Sequence, residues 1–207
     1  MRRPALRILL LAAAALIVGL FAARALLQPT PPPQLQQATW LPGGRPLPPL
    51  DLLDQDGRPF DGTAFTGRWT LVFFGFTSCP DICPTTMVTL ADVVRRLADQ
   101  PAAERPAVLL ISVDPERDSP ARLRNYVQAF NPAFQAATGT EEGVAAASRA
   151  FGVAYMRVPQ PDGGYSMDHS SSVLLVDPRG HIVAIHPAPL TSETLVADYL
   201  AIVAAQR

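Results

Sequence analysis

Cys79 and Cys83 are the only cysteines among 207 residues, and they stand in the segment Gly75-Phe76-Thr77-Ser78-Cys79-Pro80-Asp81-Ile82-Cys83-Pro84. Two thiols this close suggest redox chemistry, metal binding, or both. One pair is too few for a disulfide scaffold. The C-x-x-x-C spacing is one residue longer than the C-x-x-C of dithiol redox sites, which weakens an oxidoreductase reading without removing it. A passive disulfide closing a short loop in an oxidising compartment is the plain alternative. Each cysteine precedes a proline, and a residue before proline is pushed out of the helical region. The spacing therefore predicts a bent loop carrying Cys79, with Cys83 at a helix N-cap and Pro84 at the first helical position. A helix N-terminus lowers a thiol pKa, which suits a nucleophile or a ligand.

The histidines are His169, His181 and His186. The last two flank a late strand without a partner motif and read as structural or exposed. His169 lies in Asp168-His169-Ser170, in a loop that enters a strand at 172–177 and can face the cysteine loop. Two thiolates and one imidazole make a soft three-coordinate site. Sulfur selects copper(I) and the imidazole admits copper(II). Zinc accepts the same set with water as a fourth ligand, so residue chemistry leaves the metals unseparated. Met167 is either a packed side chain or a weak axial ligand. Asp114 either shapes the site or faces a partner, while Asp118 and Ser119 read as caps of the next helix.

These side chains need a scaffold. Residues 69–76 and 107–113 are almost continuously apolar, as strands buried on both faces are. Residues 50–60 read as a hairpin turning at Asp56-Gly57. Residues 84–98 are helical, with Met87, Leu90, Val94 and Leu97 on one stripe. A second helix starts at Ser119-Pro120, with Leu123, Tyr126, Val127 and Phe130 inward. A third spans 141–151 and ends at Gly152. Strands follow at 153–158, 172–177 and 181–185, the first two separated by a loop containing Asp162-Gly163-Gly164. An amphipathic helix at 191–205 closes the chain. This order is an α/β sheet with helices on both faces, and functional groups of such sheets gather at the carboxyl ends of strands.

Residues 8–23 form an unbroken apolar run, extended past Arg24 by Ala25, Leu26 and Leu27. A spanning helix wants about 20 apolar residues. Arg2, Arg3 and Arg7 stay in the cytoplasm by the positive-inside rule, which sends the body outside. A cleaved signal peptide is the rival, from the A-x-A shape of Ala23-Arg24-Ala25. Residues 1–27 are thus an anchor or signal, and 28–48, rich in proline, a semi-rigid spacer. The body occupies 49–207. Setting aside Arg2, Arg3, Arg7 and Arg24 leaves 13 basic against 18 acidic residues, a net charge of −5. That balance, without a basic run, argues against nucleic acid.

Three segments together resemble the Sco family of copper chaperones for cytochrome c oxidase assembly. They are Phe76 to Pro84, then Ser112-Val113-Asp114-Pro115-Glu116-Arg117-Asp118-Ser119-Pro120, and Asp168-His169-Ser170 before a strand ending at Asp177-Pro178. The resemblance implies a thioredoxin-like fold with a central mixed β-sheet flanked by helices, behind an N-terminal transmembrane helix. It implies a copper ion, Cu(I) or Cu(II), held by Cys79, Cys83 and His169, and a Cys79–Cys83 disulfide in the oxidised metal-free form. It further implies a metallochaperone rather than an enzyme, with accessory thiol reductant activity in some members. Its partners would be cytochrome c oxidase subunit II and other copper-transfer proteins. Its place would be the bacterial cytoplasmic membrane, single-pass, with the body in the periplasm. The rival class is a periplasmic thiol–disulfide oxidoreductase or thiol peroxidase of the same fold. Met167 stands where the resemblance implies an aliphatic residue in many relatives.

Overall fold

The computed structural model describes residues 11–21, 32–161 and 163–206. The chain divides into a unit of residues 1–32 and a body of residues 33–207. In the first unit residues 11–21 are helical. Both ends of the apolar run, with Arg2, Arg3, Arg7 and Arg24, lie outside the described residues, as does Asp162. Among the described residues no helix is long and apolar enough to cross a membrane.

The body is built on an eight-stranded sheet in the order β1 (Thr39–Pro46), β10 (His181–His186), β9 (Val173–Val176), β4 (Thr70–Gly75), β5 (Ala107–Ser112), β6 (Gln135–Thr138), β2 (Leu52–Asp54), β3 (Pro59–Phe60). Its centre is β4 (Thr70–Gly75) and β5 (Ala107–Ser112), paired in parallel from Thr70↔Ala107 to Gly75↔Ser112. All six residues of β4 are buried. On its other side β4 pairs antiparallel with β9 (Val173–Val176), so the sheet is mixed. The hairpin β2 (Leu52–Asp54) and β3 (Pro59–Phe60) forms as the Asp56-Gly57 turn requires. Side chains alternate across a strand. Trp69 accordingly meets Tyr199 of α4 (Ser192–Ala205) at a ring-centroid distance of 6.0 Å, and Phe74 meets Phe151 of α3 (Glu141–Phe151) at 5.2 Å. Helices therefore cover both faces. The helix α1 (Ile82–Arg96) lies with α4, joined by the Arg96–Glu193 ion pair at 2.6 Å. Gly75 lets the start of α1 come close to β4, since a Cβ there would lie 3.0 Å from Cys83 Sγ and 2.8 Å from Phe73 Cε1.

The caps expected at Ser119 and Gly152 form. Ser119 Oγ accepts from Arg122 N at the start of α2 (Pro120–Gln128), with Pro120 in its first turn. Thr140 and Thr191 cap α3 and α4, and Gly152 ends α3 in the left-handed conformation. Val93 rather than Val94 completes the buried stripe of α1.

Four expectations change. The helix α1 begins with Asp81 as its N-cap, so Cys83 lies inside the first turn and not at the cap. Pro84 is tolerated there because first-turn N–H groups have no intrahelical partner to lose. Residues 135–138, given no element by the sequence, form β6 (Gln135–Thr138) between β5 and β2. Residues 165–169, placed in a loop, form β8 (Tyr165–His169), paired with β7 (Tyr155–Pro159) as a separate two-stranded sheet. The proline-rich segment 28–48 is not a spacer in its described part. Within it β1 (Thr39–Pro46) adds antiparallel to β10 (His181–His186), with a bulge at Gly43-Gly44. Both glycines have φ above +70°, and a Cβ at Gly44 would come within 2.9 Å of His181 Cβ.

Candidate metal centre

Parallel pairing of β4 and β5 makes their carboxyl ends leave the sheet side by side, with Val113 N bonded to Gly75 O at 2.9 Å. The cysteine loop therefore runs beside residues 113–119. Asp118 fastens the two. Its carboxylate, fully buried, accepts from Thr77 N at 3.0 Å, Thr77 Oγ1 at 2.5 Å and Ser112 Oγ at 2.7 Å. It is not a helix cap; Ser119 does that alone. Arg122 closes the loop from outside, donating to Thr77 Oγ1 at 2.6 Å and Ser78 Oγ at 3.0 Å.

Both cysteines are free thiols, Cys83 buried and Cys79 half-buried. Cys79 N bonds Phe76 O at 3.3 Å, which bends the loop back, and Cys79 Sγ accepts from Cys83 N at 3.4 Å. Burial pushes the Cys83 thiol well above its usual pKa. A backbone hydrogen bond from Phe76 opposes this, and the adjoining Cys79 thiol reinforces it. The lowered pKa expected at this helix start is thus overturned for Cys83: the desolvation of a wholly enclosed sulfur outweighs the helix end.

His169 ends β8 and reaches the same place. Its Nε2 lies 3.4 Å from Cys83 Sγ, and its Nδ1 lies 3.1 Å from the carbonyl of Ser170. A carbonyl only accepts, so Nδ1 carries the proton and Nε2 presents its lone pair toward the sulfur. The rings of Phe73 and Phe76 meet the imidazole edge-on at 5.8 and 5.9 Å. Burial lowers the His169 pKa against the pull of the Ser170 bond and Asp168, so the ring is neutral at pH 7. A neutral imidazole whose other nitrogen is held by a backbone carbonyl is the state that ligates a metal.

The structure thus joins His169 to Cys83, and Cys79 to Cys83 through hydrogen bonds. Among the described residues no three His, Cys, Asp or Glu side chains form a ready-made metal cage. The chemistry of the donor set, two sulfurs and an imidazole, fits a soft cation once the thiol protons are lost. Met167 packs against the core. His186 is buried beside Asp198, and His181 begins β10, both on elements other than the cysteine loop and the β7–β8 hairpin. Asp114 is buried and bonded to Arg117 and Tyr165. Tyr126 of α2 was read only as core. Burial raises its pKa, with Cys83 and Cys79 next among the causes, and its buried hydroxyl has no hydrogen-bond partner among the described residues. No sequence signal marks that hydroxyl or the role of Asp118, because both depend on contacts across the fold.

Known proteins share this fold. The structure of Arabidopsis thaliana ScoI with copper bound superposes with a TM-score of 0.72 at 30% identity, covering 78% of this chain and 99% of that one. Bradyrhizobium japonicum ScoI with copper bound gives 0.66 at 35% identity, over 75% and 98%. The mitochondrial SCO2 homolog of Mus musculus is 40% identical over 148 residues, 71% of this chain. The match takes in 58% of the mouse protein, so the chain spans less than two thirds of that relative. The SCO1/SenC family profile matches residues 44–204, from within β1 to within α4, taking in both cysteines and His169. With that match over most of its length, the chain belongs to the SCO1/SenC family.

Proposed function

We propose that this chain binds copper through Cys79, Cys83 and His169 and carries it to the copper centre of cytochrome c oxidase subunit II. It is a metallochaperone and not an enzyme. The observation that carries the reading is the 3.4 Å approach of His169 Nε2 to Cys83 Sγ, with Nδ1 already committed to the Ser170 carbonyl. Copper(I) arrives as cargo and displaces the thiol protons, since only thiolates ligate. The imidazole adds the nitrogen that copper(II) needs. Oxidation to a Cys79–Cys83 disulfide removes both thiolates, so disulfide and copper exclude one another. The apolar run at 8–27 serves as a single-span anchor in the bacterial cytoplasmic membrane, with the body in the periplasm among subunit II and other copper-transfer proteins.

A thiol–disulfide oxidoreductase is the second reading, supported by the half-exposed Cys79 beside the buried Cys83. One variant separates the two. In His169→Ala, stable copper(II) binding and oxidase metallation should be lost while the thiols still reduce and reoxidise. The measurements are copper(II) absorption, thiol exchange and oxidase activity in the same protein. Normal oxidase assembly by His169→Ala would leave only the thiol role.

A further inference from the structure

The hairpin of β7 and β8 carries His169 yet shares no strand pairing with the eight-stranded sheet. Beyond its chain connections to α3 and β9, contacts of its side chains and loop carbonyls tie it to the rest of the fold. Tyr165 opens β8, and Tyr165, Met167 and His169 point to one face of the strand because alternate residues do so. The Tyr165 ring lies between two guanidinium groups. The Cζ atoms of Arg117 and Arg157 stand 3.8 and 4.0 Å from its centroid. Its hydroxyl donates to Asp114 Oδ1 at 2.9 Å, and its carbonyl accepts from Arg117 Nη1 at 2.9 Å. Arg117 Nε pairs with the other oxygen of Asp114, and Arg157 pairs with Glu116 Oε2 at 2.5 Å. Asp114 is itself fixed, 1% exposed, with its N–H bonded to Ser112 Oγ at 3.0 Å. Ring, hydroxyl and carbonyl of one residue are thus each tied to the segment that leaves β5.

We propose that Tyr165, Arg117 and Asp114 are positioning residues forming a latch that docks the hairpin and so delivers His169 to the cysteines. The proposal rests on the metal-centre reading above. It makes the third ligand conditional: an undocked hairpin leaves only Cys79 and Cys83, which suffice for two-coordinate copper(I) but not for copper(II). Arg157 and Glu116 brace the outer side of the ring. Asp114 and Arg117 lie on the segment that leaves β5 and remain paired when Tyr165 changes, so the hydroxyl can be removed without stranding a buried charge.

The test uses the full chain in detergent, as wild type, Tyr165→Phe, Tyr165→Leu and His169→Ala. Losing a hydrogen bond to a buried carboxylate shifts a docking equilibrium by about tenfold. Tyr165→Phe should speed amide hydrogen exchange in β7 and β8 of the metal-free protein by about that factor and weaken copper(II) binding in proportion. Tyr165→Leu, which also removes the guanidinium stack, should do more on both readouts. Exchange in β4, β5 and α1 should stay at the wild-type rate, which separates loss of the latch from loss of the fold. Unchanged hairpin exchange in Tyr165→Leu would overturn the latch, and so would faster exchange with copper(II) binding intact. His169→Ala keeps the latch and should exchange as wild type. If it also binds copper(II) as wild type, the metal-centre reading fails instead, and the exchange data still judge the docking.

Discussion

Asp118 holds three donors at once inside the protein: the Thr77 amide, the Thr77 hydroxyl and the Ser112 hydroxyl. Removing the carboxylate leaves buried donors unpaired, each at about 1–3 kcal/mol, though hydroxyls can re-aim. Asp118→Ala should therefore lose about 2–4 kcal/mol in urea unfolding and loosen the loop that carries Cys79. A loss under about 1 kcal/mol would mean the loop is held by other contacts. At this scale the approach of His169 to Cys83 could be anticipated because cysteine and histidine are scarce here and their chemistry is distinctive. Asp118 was not, since an aspartate one position before Ser119-Pro120 looks like part of a cap, and its partner Thr77 is remote in sequence. The thiol state was misread for a related reason. Helix-end electrostatics can be inferred from a proline pattern, but the enclosure of Cys83 beside Gly75 cannot.

Among the elements, β10 and α4 share a buried His186–Asp198 pair at 3.8 Å. Burial lowers the His186 pKa to about 4, outweighing the Coulombic pull of Asp198. The carboxylate is already engaged by the amides of Gln36, Gln37 and Ala38 at 2.6, 3.0 and 2.8 Å, which explains why it stabilises the imidazolium so little. A histidine depressed in the folded state gives stability that is full above its unfolded pKa, near 6.5, and is lost as pH falls toward 4. The loss should approach about 3 kcal/mol. Urea midpoints at pH 7.5 and 4.5 measure it, and His186→Leu should flatten the difference; an equal acid loss in that variant would assign it to other groups. The elements legible in the sequence were those that carry their own cause. Apolar runs make β4 and β5, and Ser119 and Gly152 mark helix ends. The strand β6, Gln-Ala-Ala-Thr, has no large β-forming side chain and exists because β5 and β2 flank it. The strand β8 needs β7 across a glycine turn, and β1 needs the free side of β10.

For the molecule as a whole, composition placed the body's start at residue 49, whereas the compact unit starts at residue 33. Three amide bonds to a buried carboxylate and the whole of β1 lie in the difference. A soluble fragment of residues 33–207 should unfold cooperatively. One of residues 49–207 should be weaker by about 4 kcal/mol or more, from hydrogen bonds to charge worth about 1.5–3 kcal/mol each. Equal urea midpoints for the two fragments would show that the segment only rests on the surface.

That segment also decides what the sheet shows to other molecules. A bare outer strand presents a row of unpaired amides and carbonyls and invites a second chain to continue the sheet. As folded, the sheet ends on one side in β1, which is broken by the Gly43-Gly44 bulge and carries Pro42 and Pro46. On the other side it ends in β3, two residues long and opened by Pro59. Stripping β1 would uncover β10, whose run from Ile182 to Ala184 is apolar and wholly buried. The consequence is colloidal as much as thermodynamic: the proline-rich approach to the body is also its guard against edge-to-edge aggregation.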